Sequence, residues 1–330
     1  METVAVTKFP VVAVAQDQGR VAWITTPRLP TVPGDATTYW VTVRHLRSGA
    51  RSSSLVGAAT TLETPLLALG GGRALYSEFQ CGNACYNNLY TISPSGSDRW
   101  VTTLSTSPGP PPDGAGRTNE AIAADGSTLV YAQIDWRYAV PGCDPYITSC
   151  GPSSPSPGPV WRLGPAGQVQ IPGATADVLL AAGQGRVATA LSGQVQIRDA
   201  VAGSPISSFT PSGTIRALAL DGGLAAVLLE ESGGKRIERY DAATGAFLAS
   251  TPVPANTAAE LDVSGQKLVF RSGNEIRLLA HPTGNVRLLL TAKTRPIGLS
   301  IEGTQVAWVK RVVWGVNRGG KGFVRSLKVS

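Results

Sequence analysis

Few residues of this chain have a type and spacing that could support acid or base chemistry. Glu78 and Asp135 each follow shortly after an aromatic residue, Tyr76 and Tyr131, in neighbouring units of an internal repeat. Two carboxylates on either side of a glycosidic bond are the catalytic groups of most enzymes that hydrolyse sugars. The pair is therefore a candidate catalytic site for a carbohydrate-active lyase or hydrolase.

No known motif supports a cofactor, a metal ion or another catalytic mechanism. The sequence lacks a Gly-x-Ser-x-Gly elbow, a His-Glu-x-x-His zinc motif, a phosphate-binding P-loop and a calcium loop. Its two histidines, His45 and His281, belong to the first and sixth repeat units and cannot share a site. We expect no cofactor and no metal, and we favour a non-enzymatic function over the enzyme.

The four cysteines form two close pairs, Cys81 with Cys85 and Cys143 with Cys150. Each pair lies in a stretch rich in Gly, Pro or Asn without histidine, and a four-cysteine zinc site would need tighter spacing. We predict a disulfide within each pair; a crosslink between the two stretches, a zinc site and unpaired thiols are the alternatives. Disulfides form in oxidising compartments, which favours an extracytoplasmic or secreted protein, although residues 1–20 show no signal peptide.

The elements that position these residues are short strands. Residues 260–290, ELDVSGQKLVFRSGNEIRLLAHPTGNVRLLL, read as four strands joined by three tight turns. Apolar residues alternate along the strands, and Gly, Asn and Pro supply the backbone angles that hairpin turns need. The stretch therefore predicts a four-stranded antiparallel meander.

This meander recurs seven times. In every unit a glycine-containing turn precedes a second strand, and these strands align without gaps from Arg20, Arg73, Thr128, Arg186, Leu224, Lys267 and Gln305. Adjacent start positions are 38 to 58 residues apart, close to the roughly 40 to 50 residues of a β-propeller blade. In five units the fourth residue of this strand is aromatic and is expected to pack between blades: Trp23, Tyr76, Tyr131, Phe270 and Trp308.

We predict an all-β fold, a seven-bladed β-propeller of four-stranded antiparallel blades. The seventh unit lacks an outer strand, whereas residues 2–8 alternate in polarity and have no partner in the first unit. An N-terminal strand in the last blade would close the ring and remove the open sheet edge. The chain, 1–330, is then one domain with blades at about 10–58, 64–105, 118–173, 176–210, 214–252, 258–291, and 296–330 plus 2–8.

Two sequence patterns resemble known propeller repeats. Residues 264–270 and 124–131 resemble the Ser-x-Asp-Gly-x-x-Ile-Ala-Phe core of bacterial TolB-like, WD40-like propeller proteins, and residues 240–245 resemble the Asp-x-x-Thr-Gly turn of quinoprotein-like repeats. The resemblance covers the blades. It implies a propeller fold and an extracytoplasmic bacterial setting, and it carries over no functional residue.

Long insertions single out one face of the predicted ring. The connections between second and third strands are long in blades one, two, three and seven, at 25–38, 77–88, 133–159 and 311–322, and short in the other blades. We call the side on which they open the long-loop face. Its candidate binding residues are aromatic or arginine: Phe79, Tyr86, Trp136, Tyr138, Tyr146, Trp314, Arg28, Arg137, Arg311 and Arg318. Such side chains suit a protein or glycan ligand; alternatively, the aromatic residues pack only against their own loops.

The charge distribution narrows the choice of partner only slightly. The formal net charge is +7, and the stretch from Lys293 onward holds eight basic residues against Glu302 alone. This excess is either a solvated strand face or a contact with an acidic surface. We do not expect nucleic acid as the partner, and no apolar run is long enough to span a membrane. The expected function is a binding or assembly module, and the oligomeric state is not predicted.

Overall fold

The computed structural model describes the backbone of residues 1–27, 37–59, 66–81, 85–96, 99–105, 115–138, 153–164, 167–253, 258–292, 297–310 and 321–329. Several strand residues next to the gaps are described by their backbone path alone. All regular structure within these ranges is β-strand. The described residues include no helix with the length and hydrophobicity that a membrane crossing requires.

The strands are numbered in chain order. They are β1 (Glu2–Thr7), β2 (Val11–Asp17), β3 (Arg20–Thr25), β4 (Thr37–His45), β5 (Arg51–Ala59), β6 (Leu67–Gly70), β7 (Arg73–Cys81), β8 (Cys85–Ile92), β9 (Arg99–Ser105), β10 (Ala115–Asp125), β11 (Thr128–Tyr138), β12 (Ser153–Ser156), β13 (Gly158–Gly164), β14 (Gly167–Ala176), β15 (Leu180–Gly183), β16 (Arg186–Leu191), β17 (Gln194–Asp199), β18 (Pro205–Phe209), β19 (Thr214–Asp221), β20 (Leu224–Glu231), β21 (Gly234–Asp241), β22 (Phe247–Pro252), β23 (Ala258–Ser264), β24 (Lys267–Ser272), β25 (Glu275–Ala280), β26 (Val286–Thr291), β27 (Ile297–Glu302), β28 (Gln305–Lys310) and β29 (Gly322–Lys328).

These strands form seven antiparallel sheets, one for each blade. Blades one to six follow the chain, from β2–β5 through β6–β9, β10–β14, β15–β18 and β19–β22 to β23–β26, and blade seven has the order β27, β28, β29, β1. The inner strands, which are the first of each blade, contact one another around the ring, and β27 contacts β2. The predicted seven-bladed propeller is thereby confirmed. The third sheet runs from Ala115 to Ala176, a wider span than the 118–173 expected for that blade.

The N-terminal strand closes the ring as predicted. β1 pairs antiparallel with β29, from Glu2 opposite Ser326 to Thr7 opposite Gly322. Val4 of β1 is buried in the apolar cluster between blades seven and one. Arg44 of blade one donates a hydrogen bond from Nη1 to the Val4 carbonyl oxygen at 2.7 Å, so both packing and hydrogen bonding hold the strand.

The core is divided into seven apolar clusters, each between two adjacent blades. Every aromatic residue at the fourth position of a second strand is buried there, with at most 2% of its surface exposed. Thr189 and Val227 occupy the same position in blades four and five and are equally buried. The predicted packing of these side chains between blades is therefore confirmed.

Two β-ribbons extend beyond the blades on the long-loop face. β7 and β8 remain paired up to Cys81 opposite Cys85, and β11 continues to Tyr138 while pairing with both β10 and β12. The insertion expected at 77–88 in blade two is therefore largely a continuous hairpin. At about 3.3 Å per residue, the Asp135–Tyr138 segment alone adds roughly 13 Å to the height of blade three.

Candidate functional site

A cavity of about 290 Å³, which we also call the central channel, lies on the axis of the ring and is lined by residues from the ends of all seven inner strands. Among the described residues, no Lys, Arg or His lines it and four carboxylates do: Asp17, Asp125, Asp262 and Glu302. Aliphatic residues line it as well, and they recur three positions before the end of each inner strand: Val14, Leu67, Ile122, Leu180, Leu218, Leu261 and Leu299. The cavity therefore combines an acidic set of side chains with an aliphatic collar.

Carboxylates at the ends of inner strands connect the turns of different blades. The Gly126 amide donates to Asp17 Oδ1 at 3.1 Å and the Gln184 amide donates to Asp125 Oδ2 at 2.8 Å. The Gly19 amide in turn donates to Glu302 Oε2 at 3.2 Å. Because backbone amides of turns need acceptors, these bonds stabilise the end of the ring. We call this end, opposite the long-loop face, the short-turn face.

Blades four to seven continue the same belt of hydrogen bonds. Gln184 Nε2 donates to Asp221 Oδ1 at 2.8 Å, and the Gly265 amide donates to Asp221 Oδ2. The Gly303 amide donates to Ser264 Oγ at 2.9 Å. Gln184 thus links three blades. Its backbone has a positive φ of 47°, a conformation that residues other than glycine rarely adopt.

Asp17 reaches past blade two to blade three because the corresponding residue of blade two has no side chain. That residue is Gly70, and an added Cβ there would lie 2.9 Å from Ala124 Cβ and 3.1 Å from the Asp125 amide nitrogen. Blades two and three therefore approach too closely for a carboxylate between them. The Asp17 side chain is 4% exposed, and its Oδ2 has no hydrogen-bond partner among the described residues.

A second polar layer joins blades six, seven and one. The Ile301 amide donates to Asp262 Oδ2 at 2.8 Å, and the Val263 amide donates to Asp262 Oδ1 at 2.9 Å. Gln16 Nε2 donates to the Ser300 carbonyl oxygen at 3.0 Å. Both carboxylate oxygens of Asp262 therefore accept a hydrogen bond, whereas only Oδ1 of Asp17 does so among the described residues.

Enclosure raises the pKa of three of these carboxyl groups. Burial raises the pKa of Asp17 to about 6, and the nearby charges of Asp125 and Glu302 act in the same direction. Burial likewise raises the pKa of Asp262 to about 6. The pKa of Asp125 is raised by burial and by the charges of Asp221 and Glu302, against the hydrogen bond from the Gln184 amide. The carboxylates thus repel one another, and a cation among them would relieve this repulsion.

These carboxylates can bind a proton or a cation, but they do not form a compact metal site. In the part of the chain that the structure describes, no three His, Cys, Asp or Glu residues are placed to share one metal ion. The expectation that no metal is bound remains an expectation for the whole chain.

The ribbons and the acidic cavity end lie on opposite faces. β10 starts in the ribbon at Ala115 and ends at Asp125 on the channel, so its two ends mark the two faces. β11 returns from Thr128 to the ribbon at Tyr138. A ligand on the long-loop face therefore does not occupy the acidic end of the channel.

Glu78, one member of the sequence-based carboxylate pair, is a buried strand residue and not an exposed loop carboxylate. It lies in β7 with 5% of its surface exposed, and Asn88 Nδ2 donates to its Oε2 at 3.2 Å. Asp135 lies in β11, with its backbone opposite Arg117 and Ser156. Its side chain is outside the described part, so the catalytic pair stays a prediction.

For the ten predicted binding residues, the structure describes either the backbone alone or nothing. Phe79, Tyr86, Trp136, Arg137 and Tyr138 lie in the two ribbons by their backbone positions, with side chains outside the described part. Outside the described residues altogether lie Arg28, Tyr146, Arg311, Trp314 and Arg318.

The structure describes two of the four cysteines, and those two by their backbone alone. Cys81 and Cys85 are direct partners across the β7–β8 ladder, and their sulfur atoms are outside the described part. Cys143 and Cys150 lie outside the described residues. Both predicted disulfides therefore stay predictions.

The sequence analysis missed the carboxylates of the channel, although a signal for them exists. The last residue of the inner strand is acidic in blades one, three, five and seven, namely Asp17, Asp125, Asp221 and Glu302. These acidic residues precede the turn glycines that mark the repeat units, so the signal is a column of the repeat and not a local motif. Asp262 lies two positions earlier in its strand than this column and has no such signal.

Comparisons with known proteins support the fold. No family model and no curated protein matches the sequence. Among solved structures, the β-propeller domain of the Trilobed protease from Pyrococcus furiosus is similar with a TM-score of 0.58 and 9% identity, over 98% of this chain and 96% of that domain. A chain of the Mitotic Checkpoint Complex is similar with a TM-score of 0.51 and 13% identity, over 98% of this chain and 90% of that one.

The fold and these similarities define the protein as a β-propeller. At such low identities the similarities concern the fold alone. The protease domain is described as having an open velcro topology, whereas β1 closes the last blade here. The resemblance to TolB-like repeats in particular stays a sequence-based expectation.

Proposed function

We propose that the protein is a non-catalytic binding or assembly module that holds a protein or glycan ligand on its long-loop face. The observation that carries this proposal is the pair of β-ribbons in blades two and three, formed by β7–β8 and by β10–β11–β12. Both project from the same end of a closed ring. Binding sites in rigid scaffolds commonly lie on such projections, since the scaffold holds them in place without requiring them for its own stability.

The sequence of the ribbons supports the same proposal. Residues 135–138 read Asp-Trp-Arg-Tyr, and Phe79 and Tyr86 belong to the neighbouring ribbon. Aromatic and arginine residues provide a large contact area at low cost in side-chain entropy and dominate the binding energy of many interfaces. A flat protein surface or a glycan chain that stacks on aromatic rings would fit this composition.

Substitution of the aromatic residues tests the proposal once a ligand has been found by glycan array or by affinity capture followed by binding of the purified partner. We expect Trp136→Ala, Tyr146→Ala or Trp314→Ala each to weaken binding by about 1 to 4 kcal/mol. Phe247→Ala is the matched control, because Phe247 is 57% exposed in the outer strand of blade five. Comparable losses with the control variant would assign the ligand to another surface.

The same ligand screen distinguishes a non-catalytic binding module from an enzyme that acts on glycans. Turnover of a glycan by the wild-type protein, abolished in Glu78→Gln or Asp135→Asn, would contradict a non-catalytic module. Circular dichroism of the Glu78→Gln variant is needed as a control, because Glu78 is buried and bonded to Asn88. Saturable binding without turnover is the expected result.

We propose further that this module lies outside the cytoplasm, and the cysteines are what support this proposal. Cys81 and Cys85 face each other across a hairpin ladder, a position from which cross-strand disulfides can form. Non-reducing peptide mapping of the protein from its native source should recover Cys81 linked to Cys85 and Cys143 linked to Cys150. Free thiols throughout would remove the argument for an oxidising compartment.

A further inference from the structure

We propose that the acidic end of the central channel binds a small linear polyamine, with Asp17 as its principal ligand. This site is separate from the long-loop face and is independent of the function proposed for that face. It lies inside the ring, where the lining carboxylates come from blades one, three, six and seven.

The first argument is the hydrogen bonding of Asp17. The Gly126 amide fixes its Oδ1, so the carboxylate cannot rotate freely, and its buried Oδ2 has no hydrogen-bond partner among the described residues. A buried carboxylate oxygen without a donor is unfavourable, and an ammonium group supplies up to three donors together with the opposite charge. Asp17 lines the cavity, and a small turn of its carboxylate about the bond from the Gly126 amide would bring Oδ2, which has almost no accessible surface as it stands, to a donor within the cavity.

The second argument is the arrangement of charge. Asp125, Asp262 and Glu302 also line the cavity, and among the described residues no basic side chain lines it; Arg20 lies outside this lining and offsets the charge of Asp17 in part. The four carboxylates are spread around the ring, and no three of the described acidic residues are placed to share one metal ion. Several ammonium groups along a flexible chain can serve separated carboxylates, which a single small ion cannot.

The third argument is the size and apolar part of the cavity. Its volume of about 290 Å³ is at the lower end of the range for small-molecule sites. Aliphatic side chains including Val14, Leu67 and Ile122 line the cavity beside the carboxylates. Most of the surface that the cavity exposes is polar, so methylene segments between the ammonium groups of a polyamine would contact this collar over a small area, whereas a hydrated inorganic cation would gain nothing from it.

Calorimetry on the full chain at pH 7.5 tests the proposal, with spermidine and 1,4-diaminobutane as probes. We expect saturable 1:1 binding, a higher melting temperature, and no effect of 1,4-butanediol at the same concentration. Asp17→Asn should weaken spermidine binding at least about tenfold, as expected for loss of a charge-assisted hydrogen bond. The variant keeps an oxygen for the Gly126 amide, so its fold should be retained.

Asp199→Asn is the matched control. Asp199 ends β17 on the short-turn face, does not line the cavity, and accepts amides within its own turn. Its removal should leave the affinity within about twofold. If Asp17→Asn does not fold, Glu302→Gln serves as the second test of the channel, because Glu302 is partly exposed and also lines the cavity.

Several results would overturn the proposal. Among them are absence of saturable binding, equal effects of spermidine and of sodium chloride at matched ionic strength, and unchanged affinity in both Asp17→Asn and Glu302→Gln. Magnesium chloride binding as tightly as spermidine would also overturn it, because the site would then select charge and not the polyamine.

The proton balance of the site gives a further readout. Asp17 has a pKa of about 6 and faces Asp125, Glu302 and Arg20, so a bound cation must displace its proton when the pH is near 6. Spermidine affinity should therefore fall between pH 7.5 and pH 5.5, with proton release at the lower pH. Binding at ordinary surface carboxylates would not vary in this range, and a flat affinity would contradict the role of Asp17.

Discussion

Asp17 shows how one side chain can both stabilise and destabilise the ring. Its Oδ1 accepts the Gly126 amide and so joins blades one and three, while its buried charge is close to those of Asp125 and Glu302. The hydrogen bond needs only an oxygen acceptor, whereas the repulsion needs the charge. The two effects can therefore be separated by substitution and by pH.

We predict that Asp17→Asn stabilises the protein at pH 7.5. The pKa of Asp17 in the folded protein, about 6, exceeds its usual value of 3.8, so the folded state binds the proton more tightly than the unfolded state. The charged form therefore costs stability above pH 6, by at most about 3 kcal/mol, and this cost disappears as the pH falls from 6 to 4. Urea unfolding at pH 7.5 and at pH 4.5 should show a gain at pH 7.5 that shrinks to about a third of that size at pH 4.5.

Asp199→Asn is the control, and we predict that it changes the stability of the protein in the opposite direction. Amides of Ala202 and Val201 lower the pKa of Asp199, so its charge stabilises the folded state above the usual carboxyl pKa. Its substitution should lower stability slightly at pH 7.5. A gain from both variants would indicate a general effect of net charge and would contradict the specific role of Asp17.

At the scale of strands, close approach between neighbouring blades fixes the residue at the end of the inner strand. Gly183 ends β15, and a Cβ added there would be in steric conflict with the Leu220 carbonyl oxygen and 2.8 Å from Asp221 Cα. Both of these atoms belong to the backbone of β19, which cannot move without disturbing its sheet. Gly183 is therefore required by packing between blades four and five.

We predict that Gly183→Ala destabilises the protein by about 1 to 3 kcal/mol, the usual cost of overpacking. Gly223→Ala is the matched control in a neighbouring inner turn, because its added Cβ would meet no atom within 4 Å. That variant should change stability by less than about 0.5 kcal/mol. Thermal unfolding of the two variants compares them directly, and equal losses would show that the contact between blades is not the cause.

The strands themselves were largely predictable from the sequence, and their extensions were not. Alternation and turn glycines located the blades because each local pattern depends only on residues close in the chain. Residues 77–88 of blade two contain Gly, Asn and Cys in place of alternating apolar residues, so their sequence predicts a loop where the structure has a ribbon. Its ladder is held by pairing with the opposite strand, and that contribution is weakly encoded in the type of each residue.

The channel was equally hard to predict, for a geometric reason. The bond from Gly126 to Asp17 skips an entire blade and exists because Gly70 lets blades two and three approach. No local pattern reports such a distance. The burial of Glu78 was hard to predict for a similar reason, since its partner Asn88 comes from the opposite strand of the ribbon; the catalytic pair itself stays a prediction.

At the scale of the whole molecule, stability depends on the closing strand. We predict that Val4→Ser lowers the melting temperature clearly, because Val4 is 7% exposed and packs between blades seven and one. Val6→Ser is the control, since Val6 of the same strand is 57% exposed. Removal of residues 1–9 should cause a larger loss than either substitution, and an unchanged melting temperature would contradict closure by β1.

Closure by β1 also determines the order in which the protein can assemble. Blades one to six each join strands that follow one another in the chain, so they can form as the chain is synthesised. Blade seven must wait, because Glu2 pairs with Ser326 and this partner is synthesised after the first six blades. Until then β1 and the edge of β29 are both unpaired, and β1 of a second copy would fit that edge equally well. At high concentration, refolding should therefore yield strand-exchanged oligomers, which size-exclusion chromatography would detect and which Val4→Ser should reduce.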